Sequence, residues 1–200
     1  MKQHIVFSIP LIAAMTTVAH AGDGPFSEYL RTGKWEVSGF GIYQSSGTAS
    51  ASANAVALKL GSGYGGGVDL GYNLNNHLNL HTDVSALGLD VTGTAGGASV
   101  TGRSALLNWN LNLDYNILKT RLTPFLTAGA GVSHFAGDFG VPGSDFNETD
   151  VCWGVGGGLR WDFSDHWFAE AVYRANWTSL KDTDSPTLFH TVILGIGYTF

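Results

Sequence analysis

Apolar and polar residues alternate singly along most of this chain, most cleanly between residues 104 and 115. Ala105, Leu107, Trp109, Leu111, Leu113 and Tyr115 take one set of alternate positions. Ser104, Asn108, Asn110, Asn112 and Asp114 take the other, with Leu106 the one exception. A period of two puts alternate side chains on opposite faces of a strand. Residues 188–200 repeat it: Leu188, His190, Val192, Leu194, Ile196, Tyr198 and Phe200 stand against Phe189, Thr191, Ile193, Gly195, Gly197 and Thr199. The first set is larger and ends in two aromatics; the second is mostly small or polar. A soluble strand would more often carry Lys and Glu on its wet face than a row of Asn. A transmembrane barrel turns the apolar face to lipid and lines its lumen with the small and polar one.

Read with this period, the chain divides into eight strands, at about 34–44, 63–74, 77–91, 104–115, 122–134, 151–163, 167–177 and 188–200. Their connections alternate in length. Those after the second, fourth and sixth strands are short, whereas 45–62, 92–102, 136–150 and 179–187 are longer. Short turns at one end and long loops at the other are the organisation of an outer-membrane barrel. Aromatics support this independently. Trp35, Tyr72, Tyr115, Trp161, Phe163, Trp167, Tyr198 and Phe200 fall on the outward face near the short turns, and Tyr43, Tyr64, Trp153, Tyr173 and Trp177 near the long loops. Two aromatic belts flank a membrane-spanning middle. The expected fold is all-β, an eight-stranded antiparallel up-and-down transmembrane barrel.

The amino-terminal residues read as a signal peptide, 1–21: a basic start at Lys2, an apolar run too short to span, and Ala19-His-Ala21 before Gly22. A short periplasmic segment, 22–33, then leads into the barrel, 34–200. Composition agrees with export and membrane insertion. Only 13% of residues are charged and 28 are glycine, against about 25% and about 7% in average soluble domains. Removing Lys2 leaves nine basic against sixteen acidic residues, a net charge of −7. Nucleic acid is therefore not an expected partner, since that would require a basic stripe. Cys152 is alone, so no internal disulfide is possible.

Two stretches, Thr123-Pro-Phe-Leu-Thr-Ala-Gly-Ala-Gly-Val132 and Gly195-Ile-Gly-Tyr-Thr-Phe200, give the chain a further resemblance. With the alternation over 34–200, it resembles the small outer-membrane barrels of the OmpA-like, OmpX and OmpW type, the outer membrane protein beta-barrel domain family of Gram-negative bacteria. The resemblance implies an outer-membrane location, with membrane lipid and lipopolysaccharide as surroundings. It also implies recognition of the terminal aromatic-x-Phe strand by the β-barrel assembly machinery. A monomer is favoured. The resemblance specifies architecture rather than activity. A peptidoglycan-binding domain, as in full OmpA proteins, is not expected after the last strand.

Strand parity turns Glu36, Asp69, His81, Asp83, Asp114, Arg160, Asp162, Glu170 and Arg174 into the lumen. An eight-stranded barrel is narrow enough for side chains to fill it, so these residues are expected to form a buried polar network centred on Glu170, Arg174 and Arg160. Six acids against two arginines leave it unbalanced, and unpaired buried carboxylates are costly. His81, Asp83 and Ser85 share that face, yet neighbours two apart along a strand stand about 7 Å from each other, too far for a hydrogen-bonded triad. An enzyme is not expected, nor a cofactor or a metal. Asp138, Asp145, Glu148, Asp150, Asp182 and Asp184 are expected on an acidic outer cap. The expected role is structural or surface-interacting; the alternative is a narrow porin-like channel or conduit for small apolar molecules or ions, for which inward glycines leave room.

If the terminal aromatics serve as the assembly address, replacing Tyr198 and Phe200 together with Ser leads to periplasmic accumulation and degradation. Normal outer-membrane levels of this double variant, measured by cell fractionation, would contradict that reading.

Overall fold

A computed structural model describes residues 24–51, 56–95, 98–138, 146–179 and 186–200; the expected signal peptide lies outside them. Nine strands occur among the described residues: β1 (Trp35–Gln44), β2 (Gly47–Ala51), β3 (Val56–Asn73), β4 (Leu78–Ala95), β5 (Ala98–Asn116), β6 (Leu122–Asp138), β7 (Phe146–Asp162), β8 (Trp167–Thr178) and β9 (Thr187–Thr199). Each barrel strand pairs antiparallel with its neighbours, and β1 pairs with both β9 and β3, closing a ring of eight. The ninth, β2, resumes the line of β1 beyond Ser45 and Ser46 and pairs with β3. Closure is completed at the chain's last residue: Trp35 N donates to Phe200 O at 3.0 Å, and Phe200 N donates to Trp35 O at 2.9 Å. A closed ring leaves no backbone donor facing hydrocarbon, which a bilayer requires.

The register sets the outward residues side by side, with Trp35 opposite Tyr72 and Val37 opposite Tyr198. Leu111, Leu126, Val155 and Leu194 are all more than half exposed. An apolar surface of this extent belongs in lipid, not water.

Strands β3 to β7 contain between 17 and 19 residues, whereas crossing a bilayer takes about 9–11. The excess lies at the long-connection end, and there the pattern inverts. On β4 the inward positions run Asn79, His81, Asp83 and Ser85, then change to Leu87, Leu89 and Val91, all buried. Outward, Leu80 and Val84 give way to Asp90 and Thr92. On β5 the same change takes Trp109 and Leu107 to Arg103 and Thr101 outside, and brings Leu106 inside at 2% exposure. On β6, Phe135 points in and His134 out. Leu60, Leu87, Leu89, Val91, Leu106, Phe135 and Phe189 form one core. On β4, β5 and β6 the membrane part is polar inside and apolar outside, and the projecting part brings apolar side chains inside and polar ones out, as water on the outside demands. Leu60 joins this core because a bulge between Leu60 and Gly63 shifts β3 by one position.

The stretches expected as loops at 45–62, 92–102 and 136–150 are therefore largely strand: β2 and the starts of β3, β5 and β7 occupy them, with the ends of β4 and β6. Leu106, the exception to the alternation, belongs to the second pattern.

The inversion predicts opposite responses at neighbouring positions. Leu89→Asn should destabilise by about 2–5 kcal/mol, as core truncations do, whereas Asp90→Leu should change stability by no more than about 0.5 kcal/mol. At the lipid-facing Leu111, Arg should cost about 2–4 kcal/mol. Urea unfolding in lipid vesicles checks all three.

Candidate functional site

The lumen is built in layers, the first at the mouth nearest the short turns. Arg160 on β7 donates to Glu36 on β1 from both terminal nitrogens, at 2.7 and 2.6 Å, and to Asp162 at 2.9 Å. Its guanidinium carbon lies 3.8 Å from the centre of the Phe168 ring. Glu36 also accepts from Asn73 at 2.7 Å and from Asn79 at 2.9 Å. Arg160, Glu36 and Asp162 are each no more than 5% exposed. A bidentate arginine–carboxylate pair with its remaining lone pairs occupied is the arrangement that makes buried charge tolerable.

One layer further in, His81 stands between two carboxylates. Its Nδ1 meets Asp69 and its Nε2 lies 3.2 Å from Asp114. A neutral imidazole has a single N–H, so both contacts become donor bonds only if the ring holds two protons. Above it, Asp83 accepts from Asn110 at 2.9 Å, Asn112 at 2.7 Å and Arg174 at 3.3 Å. The structure thus brings eight of the nine expected lumen residues into ion pairs. The expected centre differs. Arg174 pairs with Asp83, Arg160 with Glu36 and Asp162, and Glu170 joins none of these bonds. Arg160, although in register with Glu170, directs its donors to Glu36 and Asp162, and Arg174 reaches Asp83 on β4. His81 and Ser85 do not meet; Ser85 receives Asn108 at 3.5 Å.

Glycines on the inner face are filled by neighbours. A methyl group on Gly67, Gly158 or Gly197 would collide with the rings of Phe40, Phe125 and Phe168 respectively. One on Gly129 or Gly154 would collide with Asn112 or Asn176. Between the polar layers and the outer apolar core lies a cavity of about 40 Å³, lined by Asp83, Arg174, Asn110, Cys152, Phe40 and Ile193 among others. Cys152 is buried, and its thiol donates to Asn110 at 3.2 Å.

Arg31 is the lumen residue that strand parity could not show. It precedes β1, is fully buried and bonds to Asp162, bringing a third arginine to the acidic interior. Burial presses its pKa below the ordinary guanidinium value, with Asp162 opposing. The turn that aims it depends on Gly33, whose φ of 79° is the left-handed conformation glycine adopts freely. The unbalanced count of six acids to two arginines was the available signal. Beside it, Tyr29 donates to the Asp165 carbonyl at 2.6 Å, and its ring is flanked by Arg31, Lys34 and Arg121. Arg121 donates to Asp165 at 2.5 Å and holds that exposed carboxyl below the usual carboxylate range.

The periplasmic-side aromatics make a girdle: Trp35 stacks obliquely on Tyr72 at 4.9 Å, and Trp167 meets Tyr198 edge-on at 5.2 Å. Tyr115, Trp161 and Phe200 are about half exposed or more, on the same outer face. Of the residues expected on the acidic cap, Asp150 instead turns inward and is buried. Glu148 lies on β7, and the side chains of Asp138, Asp145, Asp182 and Asp184 lie outside the described residues.

The profile of the outer membrane protein beta-barrel domain matches residues 7–200. The chain belongs to that family. Among solved structures, the Neisserial surface protein A is similar at 18% identity and a TM-score of 0.57, over 84% of this chain and 99% of the other. Ail of Yersinia pestis, solved with a heparin analogue, is similar at 18% and 0.55 over the same shares. The amino-terminal barrel domain of OprF from Pseudomonas aeruginosa matches at 20% and 0.52, over 84% and 98%. At these identities the likeness is one of fold. No curated protein matches the chain.

In this family member the mouth layer predicts a specific response. Arg160→Ala leaves Glu36 buried without its cationic partner and Asp162 with Arg31 alone, and should destabilise by about 3–5 kcal/mol. Adding Glu36→Gln should cost less than the sum of the single changes, because the two share one interaction. A double-mutant cycle in urea measures the coupling.

Proposed function

We propose that this chain is a non-enzymatic, integral outer-membrane barrel with a structural or surface-interaction role, exported by a cleaved signal peptide in a Gram-negative cell. The observation that carries the reading is the filled lumen. An ionic layer lies at the periplasmic mouth, an apolar core lies at the outer end, and the cavity between them holds about one to three waters. Such a barrel presents its function outward. The projecting parts of β3 to β7 form a surface in water, beyond the lipopolysaccharide-facing belt, on which a partner can dock. Among the described residues this extension sets Asp90 opposite Arg103 rather than forming a cationic patch, so the heparin analogue bound by Ail is not part of the proposal.

The test is single-channel recording on the refolded barrel in planar bilayers. The closed-lumen reading expects little or no conductance in potassium chloride. Steady conductance would overturn it in favour of a channel.

A further inference from the structure

The residues before β1 cross the periplasmic mouth as a strap. Leu122 N donates to Pro25 O at 2.7 Å, Arg121 N to Ser27 O at 3.1 Å and Tyr29 N to Lys119 O at 2.8 Å. Glu28 and Thr120 form a bridge pair. The strap then reaches the turn between β3 and β4, where Arg31 N donates to Asn76 at 2.9 Å, and joins β1 through Gly33 N, which donates to Asn73 O at 2.8 Å. It is thus anchored on the β5–β6 and β3–β4 connections, outside the hydrocarbon.

The strap holds down one side chain. Arg31 Nη2 donates to Asp162 and to the Thr120 carbonyl at 2.8 Å, but Nε and Nη1 are buried with no hydrogen-bond partner. A guanidinium matches a carboxylate best through two parallel bonds; tethered to the strap, Arg31 makes one. Without Arg31, the ion pairs of Glu36, Asp69, Asp83, Asp114 and Asp162 rest on Arg160, Arg174 and His81, and Glu170 is in none of them. The site demands a cation, and the one supplied is poorly bonded.

We propose that the strap is a reversible latch and that the socket beneath it, Asp162 with the Thr120 carbonyl beside the Glu36–Arg160 pair, binds guanidinium cations from the periplasmic side when Arg31 withdraws. A few backbone bonds, the Tyr29 hydroxyl on the Asp165 carbonyl, the bonds to Asn76 and one ion pair hold the strap, while the barrel below is held by complete ladders, so the strap opens first. A free guanidinium is not constrained by a tether and can turn both of its edges to partners.

Two measurements test this. Hydrogen exchange on the unmodified barrel in micelles should show the amides of Tyr29 and Gly33 exchanging at least about a hundredfold faster than those of the membrane part of β4 and β5. Bridge pairs sit within disulfide reach, so a Glu28→Cys/Thr120→Cys lock, made with Cys152→Ser, should slow them when oxidised and release them when reduced. Equal protection of strap and barrel in the unmodified protein would overturn the latch. Arg31→Ala should unfold about tenfold faster or more in urea. Guanidinium chloride at about 20 mM, far below denaturing concentration, should recover much of that loss, while equal sodium chloride should not. No recovery, or equal recovery with sodium, would overturn the socket. Neither readout uses conductance, so a conducting wild type would overturn the closed-lumen reading and leave this inference standing on its own data.

Discussion

Hydrocarbon offers a backbone no hydrogen-bond partner, and the rest of this structure follows from that constraint. The sheet has to close, so β9 meets β1 and the final residue pairs with Trp35. Closing with eight strands leaves an interior about as wide as its own side chains. Charges turned inward then need partners within reach, and each ring needs a hollow. Glu36 and Arg160 provide the first kind of fit, Phe168 over Gly197 the second. The narrowness of the lumen also lets Arg174 on β8 reach Asp83 on β4.

The change of pattern partway along β3 to β6 marks where that constraint ends. Below it, lipid surrounds the sheet and the polar residues go inside. Above it, water surrounds the sheet, and Leu87, Leu89, Leu106 and Phe135 become a core of the ordinary soluble kind. One continuous ladder serves two solvents. The barrel is stoppered at both ends by opposite chemistry: ion pairs at the short-turn end and packed aliphatics at the long-connection end.

Much of this was legible in the alternation alone. Strands β1, β8 and β9 fall close to where the period of two put them, and the lumen residues were identified by parity. The projecting halves were hidden because a strand that swaps faces looks, in sequence, like the end of a strand: on β5, Leu106 stands as an exception to the polar set, and the strand was expected to begin near 104 although it starts at Ala98. The bulge at Leu60/Gly63 hid the early part of β3 by the same logic. Arg31 lies outside any period, in a strap whose course depends on the positive φ of Gly33 and on turns distant in sequence. Only the charge imbalance pointed to it, and it could not say which cation would answer. Partner choice within the ionic layers depends on three-dimensional reach, which parity does not encode.

The swap of faces along β5 can be measured directly. Nitroxide labels placed one at a time at Thr101, Arg103, Leu107, Leu111 and Tyr115, in a Cys152→Ser background in lipid vesicles, report whether each outward position meets lipid or water. Collision with oxygen should dominate at Leu107 and Leu111, and collision with a water-soluble nickel complex at Arg103 and Thr101. A lipid signature continuing unbroken to Thr101 would contradict the account.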